Sequence, residues 1–361
     1  MMIKSAFKKI NVKFYPRKLF YGPEWIVLGV NNLCNLHCKM CDVGTGYESS
    51  NFYHHLMGSH PVNMPLELIR KIINETALYF PKAKLGYAFT EPSIYPHLIE
   101  SLEYAKKKGL FTALTTNGLN LSKLAGKLVN AGLNELNVSL DGIPEIHNKI
   151  RGHVRSFESA FEGLKQISAQ AKGNLKIAVY CTITEWNYDS LAEFVMLFKD
   201  IPLKEIGFMH TNYTTGEIMK KHNEKFGNSY PASESSMDGI NISNMDINVL
   251  QREIEKIKQL RPGFKITFAP EIYTVDELNS FYFEPGKSIG KICNDSFRNI
   301  MVKSDGTVIP SHGRCYKVTA GNIYNNNIKE IWNSAAISTF RKTLIKEGGL
   351  LPACSRCCSA F

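Results

Sequence analysis

No stretch of this 361-residue chain approaches the ~18 consecutive apolar residues that a membrane-crossing helix needs. Residues 1–16 are basic and mixed and lack the apolar centre of a secretory signal. There is no low-complexity tract and no Arg/Lys-rich run interleaved with aromatics, so neither a membrane nor a nucleic acid is expected as a partner. Acidic residues are the minority, 33 Asp+Glu against 43 Lys+Arg, for a net charge of +10. That sign would suit an anionic substrate, a negatively charged reduced cluster or an acidic electron-transfer partner.

What is present is a globular composition, 44% hydrophobic and 11% aromatic, at a length that fits an α/β barrel with an appendage. The nine cysteines fall mainly in tight groups. With no export signal, metal ligation in a reducing cytoplasm is the expectation.

The tightest group is Cys34, Cys38 and Cys41, a C-x3-C-x2-C triplet within residues 31–41. A structural zinc wants four ligands, usually from C-x2-C pairs. Three thiolates on one loop suit a cubane [4Fe–4S] cluster better, and they leave one iron open to a small molecule. A zinc site completed by His37 or Asp42 is the alternative.

Apolar strand-like and amphipathic helix-like segments alternate from residue 24 to 212. Strands are expected at 25–30, 84–89, 110–116, 135–140, 175–184 and 205–210. Helices are expected at 65–80, 97–108, 121–131, 156–171 and 189–199. This rhythm predicts a parallel sheet covered by helices, either an open barrel of six β-α units or a doubly wound sheet. In both, chemistry belongs at the carboxyl ends of the strands, where the cysteine loop, Glu91, Asn117, Asp141 and Asn212 fall. Residues 213–246 break the rhythm and read as a polar loop or lid, followed by a helix at 247–260. Residues 299–309 read as a hairpin turning at Asp305-Gly306. His54, His55 and His60 read as part of a mobile loop near the substrate, with a second metal site as the sharper alternative.

Taken together, the triplet and the strand-end segments after it resemble the radical S-adenosylmethionine (radical SAM) superfamily over residues 25–212. The resemblance implies a partial (β/α)6 barrel and a [4Fe–4S] cluster on Cys34, Cys38 and Cys41 whose open iron takes SAM. It places Met40 beside the adenine. Ala88-Phe-Thr-Glu-Pro92 stands where the family has Gly-Gly-Glu-Pro, so Glu91 would meet the methionine amino group, with Phe89 and Thr90 replacing the glycines. Thr115-Thr-Asn-Gly118 resembles the next family segment, which carries Asn117 into the cofactor site. Asn137-Val-Ser-Leu-Asp-Gly142 would bring Ser139 and Asp141 to the ribose hydroxyls. His147-Asn-Lys-Ile-Arg-Gly152 would bring Arg151 to the SAM carboxylate, a partner its forked guanidinium suits. The structural alternatives are a turn at Asp141-Gly142, a helix cap at Ser139 and a surface ion pair at Arg151.

Cys293, Cys315, Cys354, Cys357 and Cys358 resemble the SPASM/twitch extensions of the same superfamily, which hold auxiliary [4Fe–4S] clusters. Where that pattern expects a cysteine after Gly306, this chain has Ser311. Five cysteines cannot fully ligate two cubanes. One auxiliary cluster on Cys293, Cys315, Cys354 and Cys357 is therefore expected, with Cys358 as the substitute for Cys357 and a four-cysteine zinc as the alternative.

The resulting organisation is an N-terminal extension (1–23), a radical SAM core (24–212), an inserted loop or lid with a linking helix (213–285) and an auxiliary cluster domain (286–361). Cys181, in a strand, is either packing or a hydrogen-atom donor. The resemblance implies an electron donor such as flavodoxin or ferredoxin. Only 33 residues precede Cys34, too few for the leader-binding domain common in peptide-modifying relatives. The substrate is therefore expected to be a small polar metabolite, with a peptide as runner-up. A non-catalytic iron–sulfur or zinc protein is the rival of another class.

Overall fold

The computed structural model describes residues 2–58, 60–171, 175–236, 241–313 and 315–361. Ten strands form a single sheet. In chain order they are β1 (Trp25–Leu28), β2 (Lys84–Tyr87), β3 (Phe111–Thr116), β4 (Glu135–Ser139), β5 (Lys176–Ile183), β6 (Glu205–His210), β7 (Lys265–Ala269), β8 (Asn299–Val302), β9 (Thr307–Ile309) and β10 (Gly321–Asn322). Their order in the sheet is β10-β9-β8-β1-β2-β3-β4-β5-β6-β7.

From β1 to β7 every neighbouring pair is parallel. Helical segments join these strands, as parallel pairing requires. The strands are apolar because the sheet is covered: Ile26, Leu85, Leu114, Leu136, Val179 and Ile206 are all fully buried. The covering helices supply Ile69, Ile72, Leu102, Leu128, Leu164 and Phe194 to the same core. The α/β class, the parallel sheet and the open barrel expected from the sequence are what the chain forms.

Four features differ from that reading. A seventh parallel strand, β7, pairs with β6 beyond the expected six units. Residues 213–246 are not only loop: Gly216–Phe226 is a helix burying Ile218, His222 and Phe226 on one face, a period masked by three lysines and two glutamates. The segment carrying the histidines contains a helix, Asn51–Leu56, started by the Ser50 hydroxyl accepting from Tyr53 N–H at 3.0 Å. His55 in that helix is buried, and its Nδ1 contacts Gly313 O at 2.7 Å.

The fourth difference is where the C-terminal hairpin goes. β8 and β9 pair antiparallel and turn at Asp305-Gly306, as expected. β8 also lies parallel to β1, Trp25 opposite Asn299 and Leu28 opposite Val302. The hairpin therefore continues the core sheet on the flank that carries the cysteine loop. No helix among the described residues is long and apolar enough to cross a membrane.

Candidate active site

The cysteine loop leaves the carboxyl end of β1 and is held by its own backbone. Cys41 N–H donates to Cys38 O (3.1 Å), Thr45 N–H to Cys41 O (2.9 Å) and Lys39 N–H to Ile150 O (2.9 Å). Gly44 packs directly on this turn: a Cβ there would come within 2.5 Å of both the N and the O of Cys38. Any larger residue would have to displace the peptide that carries the middle ligand.

Cys34 feels the charge of Cys41, and Cys38 feels that of Cys41 and Cys34. Burial pushes Cys34 up and Cys38 up to about 12, with Arg151 working against the rise at Cys38. Such thiols stay protonated until a metal displaces the proton. Two sulfurs on one zinc, at ~2.3 Å each, can be no more than ~4.6 Å apart. Among the described residues, the group whose His/Cys/Asp/Glu ligand atoms all lie within 4.8 Å of one another is His312, Cys357 and Cys358, not this triplet. Three thiols that are close, yet too spread for one ion, fit a cluster that gives each thiolate its own iron.

Polar residues from the next strand ends converge beside the loop. Glu91, 1% exposed, is fully engaged by the chain: Oε1 accepts from Ser93 N–H (2.9 Å) and Thr116 Oγ1 (2.6 Å), and Oε2 accepts from Asn117 N–H (2.8 Å). Asn117 Nδ2 reaches the cysteine loop itself, donating to Asn35 Oδ1 at 2.8 Å. Asp141, also 1% exposed, accepts Arg151 Nε on Oδ2 (2.6 Å) and Thr182 N–H on Oδ1 (2.8 Å). Arg151 Nη1 points at Cys38 Sγ, 3.7 Å away. Ser139 is half-buried at the end of β4, and Met40 is half-buried between the last two loop cysteines. Phe89 takes φ +88°, the left-handed backbone a glycine adopts freely.

The C-terminal cysteines gather by a separate set of contacts. The Cys315 thiol, pushed well up by burial, senses Cys293, Cys357 and Cys354, and Cys293 is pushed up to about 12 by burial and then Cys354. Tyr316 Oη lies 3.0 Å from Cys354 Sγ. Arg356, between Cys354 and Cys357, is 1% exposed and spends its guanidinium on backbone carbonyls of Ser280, Phe281, Glu284 and Lys287. Those bonds pin the cysteine segment against the C-terminal end of the helix Val275–Tyr282 and the turn after it. Cys358 N–H donates to Asn212 Oδ1 (2.7 Å) and its thiol meets Cys357, and the ligand atoms of His312, Cys357 and Cys358 lie within 4.8 Å of one another.

A cavity of about 60 Å³ lies beside the C-terminal cysteines, and none of Cys34, Cys38 and Cys41 lines it. Asp42, next to Cys41, forms part of one wall, and Cys315, Cys354 and Cys357 form another. Asn51, Asn212, Thr214, Ser233, Glu234 and His312 add polar groups. The loop over it is latched: Ser236 N–H donates to Asp42 Oδ1 (2.9 Å) and Asn51 N–H to Ser233 Oγ (2.6 Å). Cys181 is not on this wall. It is fully buried in the apolar core, with its sulfur 3.7 Å from Asn187 Nδ2. His312 went unnoticed in the sequence; it falls three residues before Cys315, and its Nε2 lies 3.4 Å from Cys357 Sγ.

Comparison with known proteins adds the following. A Radical SAM superfamily model matches residues 29–198, and a SPASM iron–sulfur cluster-binding domain model matches residues 293–358. The chain is 23% identical to the tungsten-containing aldehyde ferredoxin oxidoreductase cofactor-modifying protein of Pyrococcus furiosus, over 92% of this chain and 87% of that one. It is 33% identical to the Fe-coproporphyrin III synthase of Methanosarcina barkeri, over 55% of this chain but only 46% of that protein's length. Streptococcus suis SuiB bound to S-adenosylmethionine superposes with a TM-score of 0.61 at 15% identity, covering 98% of this chain and 76% of SuiB. At that identity the likeness is one of fold.

Proposed function

The chain belongs to the radical SAM superfamily and joins a C-terminal SPASM iron–sulfur domain to its radical SAM domain, and from that premise we propose that it oxidises a small polar substrate held in the cavity beside its C-terminal cysteines. Its cofactors are a [4Fe–4S] cluster, S-adenosylmethionine and auxiliary iron–sulfur. When bound, the reduced cluster and SAM together supply a one-electron cleavage that gives methionine and a 5′-deoxyadenosyl radical able to take a hydrogen atom from carbon.

Cys34, Cys38 and Cys41 would hold the first cluster, with Met40 beside the adenine. Glu91 and Asp141 act here by positioning: Glu91 fixes Asn117, and Asp141 fixes Arg151, each with a buried carboxylate already satisfied by the chain. Asn117, Ser139 and Arg151 then face the cofactor, and Arg151 also stands over Cys38. The latched loop excludes water from the radical.

The observation that carries this reading is the polar cavity beside the C-terminal cysteines: a substrate there touches Cys315, Cys354 and Cys357 and reaches the first cysteine loop at Asp42, the neighbour of Cys41. Cys293, Cys315, Cys354 and Cys357 would hold an electron acceptor against it. Cys181, the candidate hydrogen donor, lies in the core instead, which favours oxidation over epimerisation. The small volume and the hydroxyl and amide lining favour a small polar molecule. A peptide substrate is the second reading, favoured by the loop at 232–236, whose few latching bonds could open to admit an extended segment.

Anaerobic reconstitution should load about eight iron per chain, two clusters' worth. Replacing Cys34, Cys38 and Cys41 by Ala should remove about four and abolish SAM cleavage by dithionite-reduced protein. Zinc in place of iron would end the reading. For the substrate, 5′-deoxyadenosine formation should rise with small polar metabolites and not with peptides; the reverse would select the second reading.

A further inference from the structure

One basic groove lies outside the site. Its opening spans about 800 Å³ between the N-terminal helix Met2–Phe14 and the loops at 292–298 and 345–349. Four cations, Lys8, Lys9, Lys13 and Arg298, face one carboxylate, Glu24. That carboxylate is already neutralised, by Lys8 at 2.7 Å and Arg298 at 2.7 Å. No Asp or Glu precedes Glu24 in the chain.

The helix is docked the unusual way round. Asn11 is buried and fastens it, its side chain accepting from Phe20 N–H (2.7 Å) and donating to Lys18 O (2.9 Å). Phe7, Ile10 and Phe14, 48%, 55% and 63% exposed, lie on a different face of the helix from the groove and do not line it.

The groove's floor meets the C-terminal cysteines. Ile292 and Asn294 line it, and between them is Cys293, 7% exposed. Cys293 N–H donates to O of Gly349, another wall residue, at 3.0 Å. Gly349 has φ +106°, and a Cβ there would strike Ile292 at 2.7 Å, so the close seat over Cys293 depends on this glycine.

We propose that this groove docks an acidic one-electron carrier protein, which exchanges electrons with the auxiliary cluster at the Cys293 side. The proposal rests on reading Cys293 as a cluster ligand. Charge complementarity selects the occupant: Lys9 and Lys13, beside Lys8 and Arg298 that already neutralise Glu24, leave the groove net positive next to the Cys293 backbone, which matches a small acidic redox protein. Such encounters are small, steered by charge and salt-sensitive.

Flavodoxin is the probe. Oxidised flavodoxin should bind the iron-loaded protein with an affinity that falls as salt rises. The double variant Lys9→Glu/Lys13→Glu should weaken binding by about tenfold or more. Iron content and dithionite-driven SAM cleavage should not change. In stopped flow on the Cys34/Cys38/Cys41→Ala protein, flavodoxin hydroquinone should pass one electron to the remaining [4Fe–4S]²⁺ cluster, leaving semiquinone and [4Fe–4S]¹⁺. The same charge reversal should slow that step by a similar factor.

Unchanged flavodoxin affinity in the double variant would overturn the proposal. So would loss of binding to anionic lipid vesicles with flavodoxin binding intact, which would make the helix a membrane contact. Absence of iron from the Cys34/Cys38/Cys41→Ala protein would instead defeat the cluster reading, and docking would still be decided by the affinity measurement.

Discussion

Arg151 aims a guanidinium nitrogen at the sulfur of Cys38 from 3.7 Å. Asp141 holds the same guanidinium, accepting Nε on Oδ2 at 2.6 Å, and is itself 1% exposed. The three residues make a line from the end of β4 to the cysteine loop. Removing one partner of a buried pair strands the other, at a cost of ~3–5 kcal/mol, whereas removing both costs much less. Arg151→Gln should therefore lower the unfolding free energy of the metal-free protein by about 3 kcal/mol. Adding Asp141→Asn should restore part of it. Urea unfolding of the two single variants and the double would read the coupling; additive losses would mean that the pair is not coupled.

Much of this site could be read from the chain because its parts follow strands that are neighbours in order. β1, β2, β3 and β4 lie side by side, so the cysteine loop, Glu91, Asn117 and Asp141 had to meet at one edge. What could not be read were the long-range partners. Nothing in the local pattern says that β8 lies against β1, because parallel pairing leaves no periodic mark on either strand. Nor does it say that Glu91 is spent on Thr116 and Asn117, or that Asp141 is spent on Arg151. The departures from glycine at Phe89 and Thr90 were legible, but not their outcome: the backbone keeps the glycine conformation at Phe89, and Thr90 Oγ1 bonds Asn31 O at 2.8 Å.

Phe89 should invert a usual preference. Its side chain packs with Leu56, Met301 and Ile309, while its backbone holds φ +88°. Both Phe89→Ala and Phe89→Gly lose the packing. Only the glycine also sheds the left-handed strain, worth roughly 1–2 kcal/mol. Phe89→Gly should thus be more stable than Phe89→Ala by about 1 kcal/mol, opposite to the order in ordinary extended or helical backbone. Chemical denaturation of the two variants decides it, and an alanine variant equal to or above the glycine one would show that the position carries no strain.

His210, at the end of β6, is fully buried among Phe268, Phe281 and Tyr282, and its Nδ1 meets Tyr282 Oη at 2.8 Å. Burial pushes its pKa down from 6.5 to about 3. Between those values the unfolded chain binds the proton and the folded one does not. Its share of stability is complete above pH 6.5 and is lost as pH falls toward 3. His210→Gln, which keeps a polar group for Tyr282, should flatten the acid limb of stability against pH by about one proton near pH 5. Urea titrations across pH 4–7 on the metal-free protein would measure both slopes, and parallel slopes would show that His210 titrates normally in the fold.

The adjacent thiols Cys357 and Cys358 should behave differently. Cys357 lines the cavity with Cys315 and Cys354, and the Cys315 thiol senses its charge. Cys358 does not line the cavity; its N–H is held by Asn212 Oδ1 and its thiol is engaged by Cys357. A cubane needs one thiolate per iron, and Cys293, Cys315, Cys354 and Cys357 complete four without Cys358. In the Cys34/Cys38/Cys41→Ala background, Cys357→Ser should lose the remaining iron, about four per chain, and the low-temperature EPR signal of the reduced protein. Cys358→Ser should keep both. The opposite result would make Cys358 the ligand.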